Sequence, residues 1–588
     1  MRRRKSVVPR RSVLRGTAGA VAGGMVTGAS ALRPGRATAD DGARVAVFGA
    51  GVAGLTAAHE LAERGFRVTV YERRAAGGKA RSIPFAGTGR DGRPDLPGEH
   101  GFRFFPGFYR HVTDTMRRIP FPGNAHGVYD NLVPAVEARF SRSGSDDTLI
   151  PMGRAGRVWS TPEDFRETVG SVSATSANLP PDDALYFANR LLVFDTSCDA
   201  RRFGQWEYTP WRDFVGADTR SREFRALLSR SLTTLLVAAK DEYASTRTIG
   251  TMGEQFLGNP LETGNDGPLD RVLDGPTNEA WIDPWVGLLR DLGVQFVTAE
   301  LRGLDVRDRR IAGARLTDGS GGDISVSADH FVLALPVEVV RRLCTPEILA
   351  VQPELAALDG LMVDWMSGLQ FYLRRPAQIA RGHVAYVDSP WSLTSIAQNQ
   401  FWSRAGLSGY GDGTVRDCLS VDISDWHTPG MLFGKPAVAC TPDEIAREVW
   451  AQLRAHLSGA AQVQDGDLHS WFLDPAVAWD AAQQRTTNVD PLLINTAGSW
   501  AARPSPHGAL ENLFLAGDYV RTGVDLATME GAGESARAAV NALLEVAGSN
   551  AARCPIHPLY RAAELEPLRR LDEQRYAAGA PNLFDGPV

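Results

Sequence analysis

The stretch RVAVFGAGVAGLTAAHELAERGFRVTVYERR, residues 44–74, decides how this chain is read. Arg44–Phe48 is a short apolar run containing β-branched residues, the pattern of a buried strand. Val52–Arg64 is rich in Ala and Leu and reads as a helix, and Val68–Tyr71 reads as a second strand. The three make a βαβ unit with Gly49-Ala50-Gly51-Val52-Ala53-Gly54 at its first crossing. Gly49 permits a tight turn, Gly51 lets backbone approach a pyrophosphate, and Gly54 lets the helix lie close to the strand. The N-terminus of the helix then offers amide donors and partial positive charge to the phosphates. Such a turn alone is weak evidence, but Glu72 closes the second strand where a carboxylate accepts ribose hydroxyls. The whole unit predicts a dinucleotide site.

Downstream, Val294–Val297, Ile311–Leu316 and Phe331–Leu335 are short strand candidates between Gly and Asp turns, preceded by a helix at Trp285–Asp291. Near the end, Leu513–Leu515 is a strand leading into Ala516-Gly517-Asp518, and Thr528–Leu544 is an Ala-rich helix opening with Met529-Glu530-Gly531-Ala532-Gly533. A strand, a carboxylate and a glycine-rich helix start again suit a dinucleotide. Asp518 is placed to bond a ribityl hydroxyl, and the amides of Met529 and Gly531 to face the N1/O2 edge of a flavin, where negative charge grows on reduction. The plainer role for Asp518 is an N-cap or turn residue.

The length of 588 residues implies more than one folding unit or one interrupted unit. With 43% hydrophobic and 22% charged residues, the balance is that of a globular protein. A formal charge of -6, with no basic cluster beyond the N-terminus, argues against a nucleic-acid partner. Cys198, Cys344, Cys418, Cys440 and Cys554 show no CxxC or zinc-like spacing, so no metal site or disulfide framework is expected.

Residues 1–39 run Arg-rich, then apolar and small, then Ala37-Thr38-Ala39, the layout of an export signal. Arg10-Arg11 before Ser12-Val13-Leu14 adds a twin-arginine feature, predicting export of an already folded protein. The alternative is a disordered basic tail on a cytoplasmic or membrane-associated protein. The run Gly16–Leu32 is too diluted by Gly and Thr for a stable membrane span. At the other end, Leu559–Tyr576 has apolar residues at helical spacing amid charges and is expected to be a surface helix docked on the body, with peripheral membrane contact as the alternative.

At Gly77-Gly78-Lys79, the segment Gly98–Phe105 (GEHGFRFF), Leu273-Asp274-Gly275-Pro276 and Leu515–Gly533, the chain resembles the plant-type FAD-dependent phytoene and ζ-carotene desaturases, within the flavin amine oxidase superfamily. The resemblance runs in order through most of the chain and is dense only in these segments. It implies non-covalent FAD, with the Gly78-Lys79 loop near the phosphates and the Glu99–Phe105 segment running along the flavin. It carries over Ala53, Glu72, Arg73, Lys79, Arg103, Phe104, Gly517, Asp518 and Met529 as cofactor contacts beside Gly49, Gly51 and Gly54. Two departures stand out: the stretch Asp518–Met529 is one residue longer than the family's pattern, and Arg103 stands where those desaturases usually have His.

The expected architecture is α/β, a Rossmann-like FAD domain in three segments (40–105, 271–340 and 496–550), with a mixed α+β substrate domain inserted as 106–270 and 341–495, and a tail at 551–588. His100 and Arg103 are the weak catalytic candidates: His100 as a proton shuttle or a packed residue, Arg103 in a salt bridge or on the flavin. Phe102, Phe104, Phe105, Phe108 and Tyr109 wall an apolar tunnel or fill an interface, and Trp281, Trp285 and Trp500 line a pocket or belong to the core. The resemblance implies hydride removal from a lipophilic isoprenoid to flavin N5, with quinone or O2 as acceptor. The alternatives are an amine or amino-acid oxidase and a non-catalytic flavin-bound partner protein.

Overall fold

Strand Arg44–Phe48 is buried along four of its five residues because it lies inside a parallel sheet covered on both faces. The computed structural model describes residues 42–144, 147–152, 161–177, 179–257, 259, 262–404 and 406–586, so the export signal read at 1–39 lies outside the described residues. Arg67–Glu72 pairs in parallel on one side of the first strand (Val47↔Val70) and His330–Leu333 on the other (Val47↔Val332). Beyond them lie Gln295–Arg307 (Tyr71↔Val297) and Leu513–Leu515 (Val332↔Phe514), again parallel. Antiparallel Arg310–Asp318 and Asp323–Val326 complete seven strands. Helices Val52–Glu63 and Met529–Val546 pack together over this sheet, sharing a core through Leu55, Leu61, Val540 and Leu543. The fold is therefore the expected Rossmann-like α/β layer.

Two elements differ from their sequence reading. The strand expected at Val294–Val297 runs on through Arg307 and turns at Asp308 and Arg309, whose φ values are 48° and 64°. Both central residues of this two-residue hairpin turn are left-handed, a conformation in which Asn-Gly is usual, so the turn carries no glycine signal. At the C-terminus the helix spans only Glu566–Ala577, not Leu559–Tyr576. Pro567 sits in its first turn, where a missing N–H costs nothing, and charge rather than an apolar stripe fastens it: Arg201 Nε donates to both oxygens of Asp572 at 3.0 Å and Arg569 reaches the Asp195 carbonyl at 3.1 Å. No described helix is long and apolar enough to cross a membrane.

A second seven-stranded sheet runs in the order Leu468–Leu473, Ser367–Leu373, Asp417–Ile423, Leu393–Ala397, Val384–Tyr386, Glu137–Ser141 and Thr148–Pro151. All its pairings are antiparallel except Val384–Tyr386 with Glu137–Ser141. Helices Pro162–Ala177, Pro181–Asp195 and Thr246–Phe256 belong to the stretch between the strands at Thr148–Pro151 and Arg271–Leu273. Trp281 and Trp285 stack at 5.8 Å and are fully buried, so they belong to the core. The hairpin Ser82–Phe85 with Leu96–Glu99 delivers the chain from the first sheet to the second. There the backbone N–H of Glu99 donates to Gln370 Oε1 at 3.0 Å and that of Gly368 to the His100 carbonyl at 2.6 Å.

Candidate functional site

The glycine turn is built as its spacing requires. Gly49 has φ 101° and its N–H donates to the Tyr71 carbonyl at 2.8 Å, so the turn closes directly on the second strand. A Cβ at Gly54 would stand 1.9 Å from the Gly49 carbonyl oxygen, so only glycine lets the helix approach this closely. Ala53 is buried in the first turn of that helix, and Gly51 meets Gly77 in a parallel bridge while Gly77 N–H donates to the Ala50 carbonyl at 2.8 Å. A Cβ on Gly78 would come within 2.9 Å of the Gly51 Cα, so the second glycine loop lies flat on the first. Glu72 takes the Ala50 and Arg74 amides, both at 2.9 Å, which holds its carboxylate at the end of the strand beside the turn.

The remaining expected contacts fall into two groups. Near the turn, Lys79 Nζ donates to the Pro491 carbonyl, and Arg103 Nη2 donates to the Lys79 carbonyl at 3.0 Å. Arg73 is partly exposed and leans toward Asp490 and Glu300, at 3.6 and 3.9 Å. At the far edge of the sheet, Gly517 has φ 143° and its N–H donates to Ser535 Oγ at 2.9 Å. No described residue hydrogen-bonds the Asp518 side chain, while its carbonyl accepts from Arg503. The Gly531 amide is taken by the N-cap Thr528 Oγ1 at 3.0 Å, which leaves the first-turn amides of Met529 and Glu530 for a ligand. The Glu530 side chain points the other way. It accepts from the amides of Arg110, His111 and Val112 and from His111 Nδ1, at 2.6–3.0 Å, and these bonds with His111 hold its carboxyl below the usual range although burial pushes up.

Segment 99–104 joins these groups to the second sheet. Glu99 is buried and accepts from Ser82 Oγ, Thr277 N–H and Thr277 Oγ1 at 2.8–3.0 Å, which ties the segment to the Leu273–Pro276 motif; burial raises its pKa against the pull of Arg103. His100, the candidate shuttle, lies buried with its Nδ1 against Asp474 Oδ2. Phe105, Phe108 and Tyr109 are buried in the core, whereas Phe102, Phe104 and Phe256 are partly exposed, with Phe104 stacked on Phe256 at 6.1 Å. Three residues with no sequence motif join them: His383, Asp270 and Asp422. His383 Nδ1 lies 2.7 Å from Asp270 Oδ2, and its ring lies 5.1 Å from Phe102 and 5.0 Å from Phe104. Asp422 is 6% exposed, and burial pushes its carboxyl up to about 7 against the pull of Arg103 and His383. Among the described residues no cluster of His, Cys, Asp and Glu is arranged to hold a metal ion, and the five cysteines are unpaired.

A glycine cradle with a carboxylate held at the end of its second strand, an aspartate side chain that no described residue hydrogen-bonds, and open helix-start amides along one sheet fit a flavin-dependent oxidoreductase. The chain belongs to the flavin containing amine oxidoreductase family, whose model matches residues 52–544. It is 24% identical over 547 residues to the flavin-dependent L-tryptophan oxidase RebO of Lentzea aerocolonigenes, covering 85% of this chain and 98% of that protein. It is 23% identical over 515 residues to the 15-cis-phytoene desaturase of Synechococcus elongatus, covering 85% and 96%. Its fold matches cyclohexylamine oxidase from Brevibacterium oxydans with a TM-score of 0.53 at 15% identity, covering 86% and 99%. The cofactor is FAD. The cradle fits it: a side chain at Gly49, Gly54 or Gly78 would meet backbone.

Proposed function

We propose that this oxidoreductase removes a hydride from a C–H bond of a lipophilic, isoprenoid-like substrate, with quinone or O2 reoxidising the cofactor. FAD supplies the two-electron acceptor; the chain supplies orientation, a dry apolar wall and charge. The observation that carries the reading is the group of partly exposed aromatic side chains Phe102, Phe104 and Phe256, two of them on the segment leading out of the cofactor cradle. Partly exposed aromatic side chains suit a long apolar molecule whose reacting carbon must be held by shape alone. The similarity to a phytoene desaturase supports the same reading.

A second reading, oxidation of an amine or amino acid, is favoured by the titratable groups Arg103 and Asp422 beside those rings, and by the similarity to an L-tryptophan oxidase. Anaerobic mixing of the FAD-loaded protein with a polyene and terpenoid panel and an amine panel separates the two. Loss of oxidised-flavin absorbance with an isoprenoid is the expected outcome. Bleaching by amines alone replaces it with the second reading, and no bleaching by either leaves a flavin-bound partner protein. The leader at Arg10-Arg11 adds the proposal that the loaded protein works outside the cytoplasm.

A further inference from the structure

Buried polar atoms without hydrogen-bond partners gather beside segment 99–104: Nε of Arg103, Nε2 of His383, Oδ1 of Asp422 and Oδ1 of Asp270. Leaving such a group desolvated and unpaired is destabilising, so four together call for a ligand or a chemical role. Their arrangement is ordered. Asp270 is 3% exposed and lies against His383 Nδ1, which fixes the proton on that nitrogen and leaves the Nε2 lone pair free to accept. The imidazole packs against both the Phe102 and the Phe104 rings. Asp422 lies directly beneath the segment: a Cβ at Gly101 would stand 2.7 Å from its Oδ1, so the glycine keeps backbone and carboxylate in contact.

We propose that His383, oriented by Asp270, is the base that takes the proton lost together with the hydride. This rests on the hydride-removal reading above. One C–H bond breaks and its hydrogen and electron pair pass as hydride to oxidised FAD. A C–H bond on the neighbouring carbon then breaks, its electron pair becomes the new π bond, and its proton bonds to Nε2. The substrate loses two hydrogens and two electrons, the cofactor gains the hydride, and the imidazole gains a positive charge facing Asp270. The titratable and charged groups around this centre include Arg103 and Glu99 on the segment from the cradle, Asp422 on strand Asp417–Ile423, Asp270 ahead of strand Arg271–Leu273, Arg139 on the strand paired beside His383, and His100 with Asp474 beside the segment. Burial pushes the Asp422 carboxyl up to about 7, so in acid it adds no negative charge to the imidazole's surroundings.

The test is His383→Gln, which keeps size and polarity but cannot take the proton. In anaerobic stopped-flow with the substrate that bleaches wild-type flavin, His383→Gln is expected to slow flavin reduction by about 10²–10⁴-fold, with flavin content and absorption spectrum unchanged. Wild-type reduction should rise with pH and level off, and the variant should lose that dependence. A rate within roughly threefold of wild type overturns the assignment. A second arm needs no substrate. With the eleven histidines labelled with ¹⁵N, the His383 ring is expected to show an unprotonated Nε2 that shifts on FAD loading and loses its single tautomer in Asp270→Asn. An Nε2 that carries the proton, or a ring indifferent to FAD, overturns the assignment even if no tested compound bleaches the flavin; that last result alone would instead overturn the reading of substrate.

Discussion

The cofactor cradle and the polar cluster behind segment 99–104 are assembled by different rules. In the cradle the contacts that shape the turn are local: Ala50 to Glu72, Gly49 to Tyr71, Gly51 to Gly78. The chemistry there is backbone amides and the absence of side chains, and both are written in residue spacing. In the cluster Arg103, Asp270, His383 and Asp422 come from four stretches that meet only when the second sheet forms. Backbone-made chemistry can be read from one strand and helix; side-chain chemistry assembled between distant elements cannot.

The sharpest way to break this contrast is Gly54→Val. The added side chain would start 1.9 Å from the Gly49 carbonyl and 3.3 Å from Ala334 Cβ, so the helix must move off the strand. Overpacking of this kind costs about 1–3 kcal/mol or more, and it distorts the cradle where amides must meet phosphate. The purified variant is expected to hold less than about a tenth of the wild-type flavin per chain, a loss above ~1.4 kcal/mol in binding. Wild-type flavin content would show that the close approach is not what holds the cofactor.

The same division explains what sequence could show elsewhere. The parallel strands of the first sheet are short apolar runs and were legible, Leu513–Leu515 to the residue. The long hairpin beyond them was truncated because Asp308-Arg309 turns without glycine, and because Gln295–Arg307 is only partly buried, which dilutes its apolar pattern. The tail helix was overextended because its apolar spacing starts at Leu559, whereas Arg201–Asp572 pairing decides where it docks. At the site, Arg103 and Phe104 stood out through their segment. His383 has no motif around it; only a partner at position 270 and rings at 102 and 104 give it a role.

A smaller effect tests whether the cluster is held as electrostatics demands. Asp422 has its carboxyl raised from 3.8 to about 7 because burial disfavours the charged form. The folded protein therefore binds this proton more tightly than the unfolded chain. The stability it adds is complete below the unfolded value and lost as pH rises toward 7. Asp422→Asn is neutral at every pH. Its urea midpoint should match wild type near pH 4 and exceed it at pH 8, by on the order of 1–3 kcal/mol after extrapolation. Asp417, also raised, to about 6, is common to both proteins and cancels in the difference. A difference that does not change with pH would mean that Asp422 is ionised throughout.

The smallest effect lies at the edge of the cradle. Family resemblance makes Arg73 a cofactor contact, yet its side chain is 36% exposed and reaches Asp490 only at 3.6 Å, a carboxylate already held by Arg74 at 2.6 and 2.9 Å. Ion pairs this exposed are worth about 0–1 kcal/mol. Arg73→Ala is expected to shift stability by less than ~0.5 kcal/mol and flavin content by less than about twofold. A tenfold loss of flavin would mean that the guanidinium leaves Asp490 for the cofactor's ribose or phosphates. The region whose chemistry is written in local spacing would then extend past Glu72 to a side chain, and the contrast with the His383 cluster would rest on distance along the chain rather than on backbone against side chain.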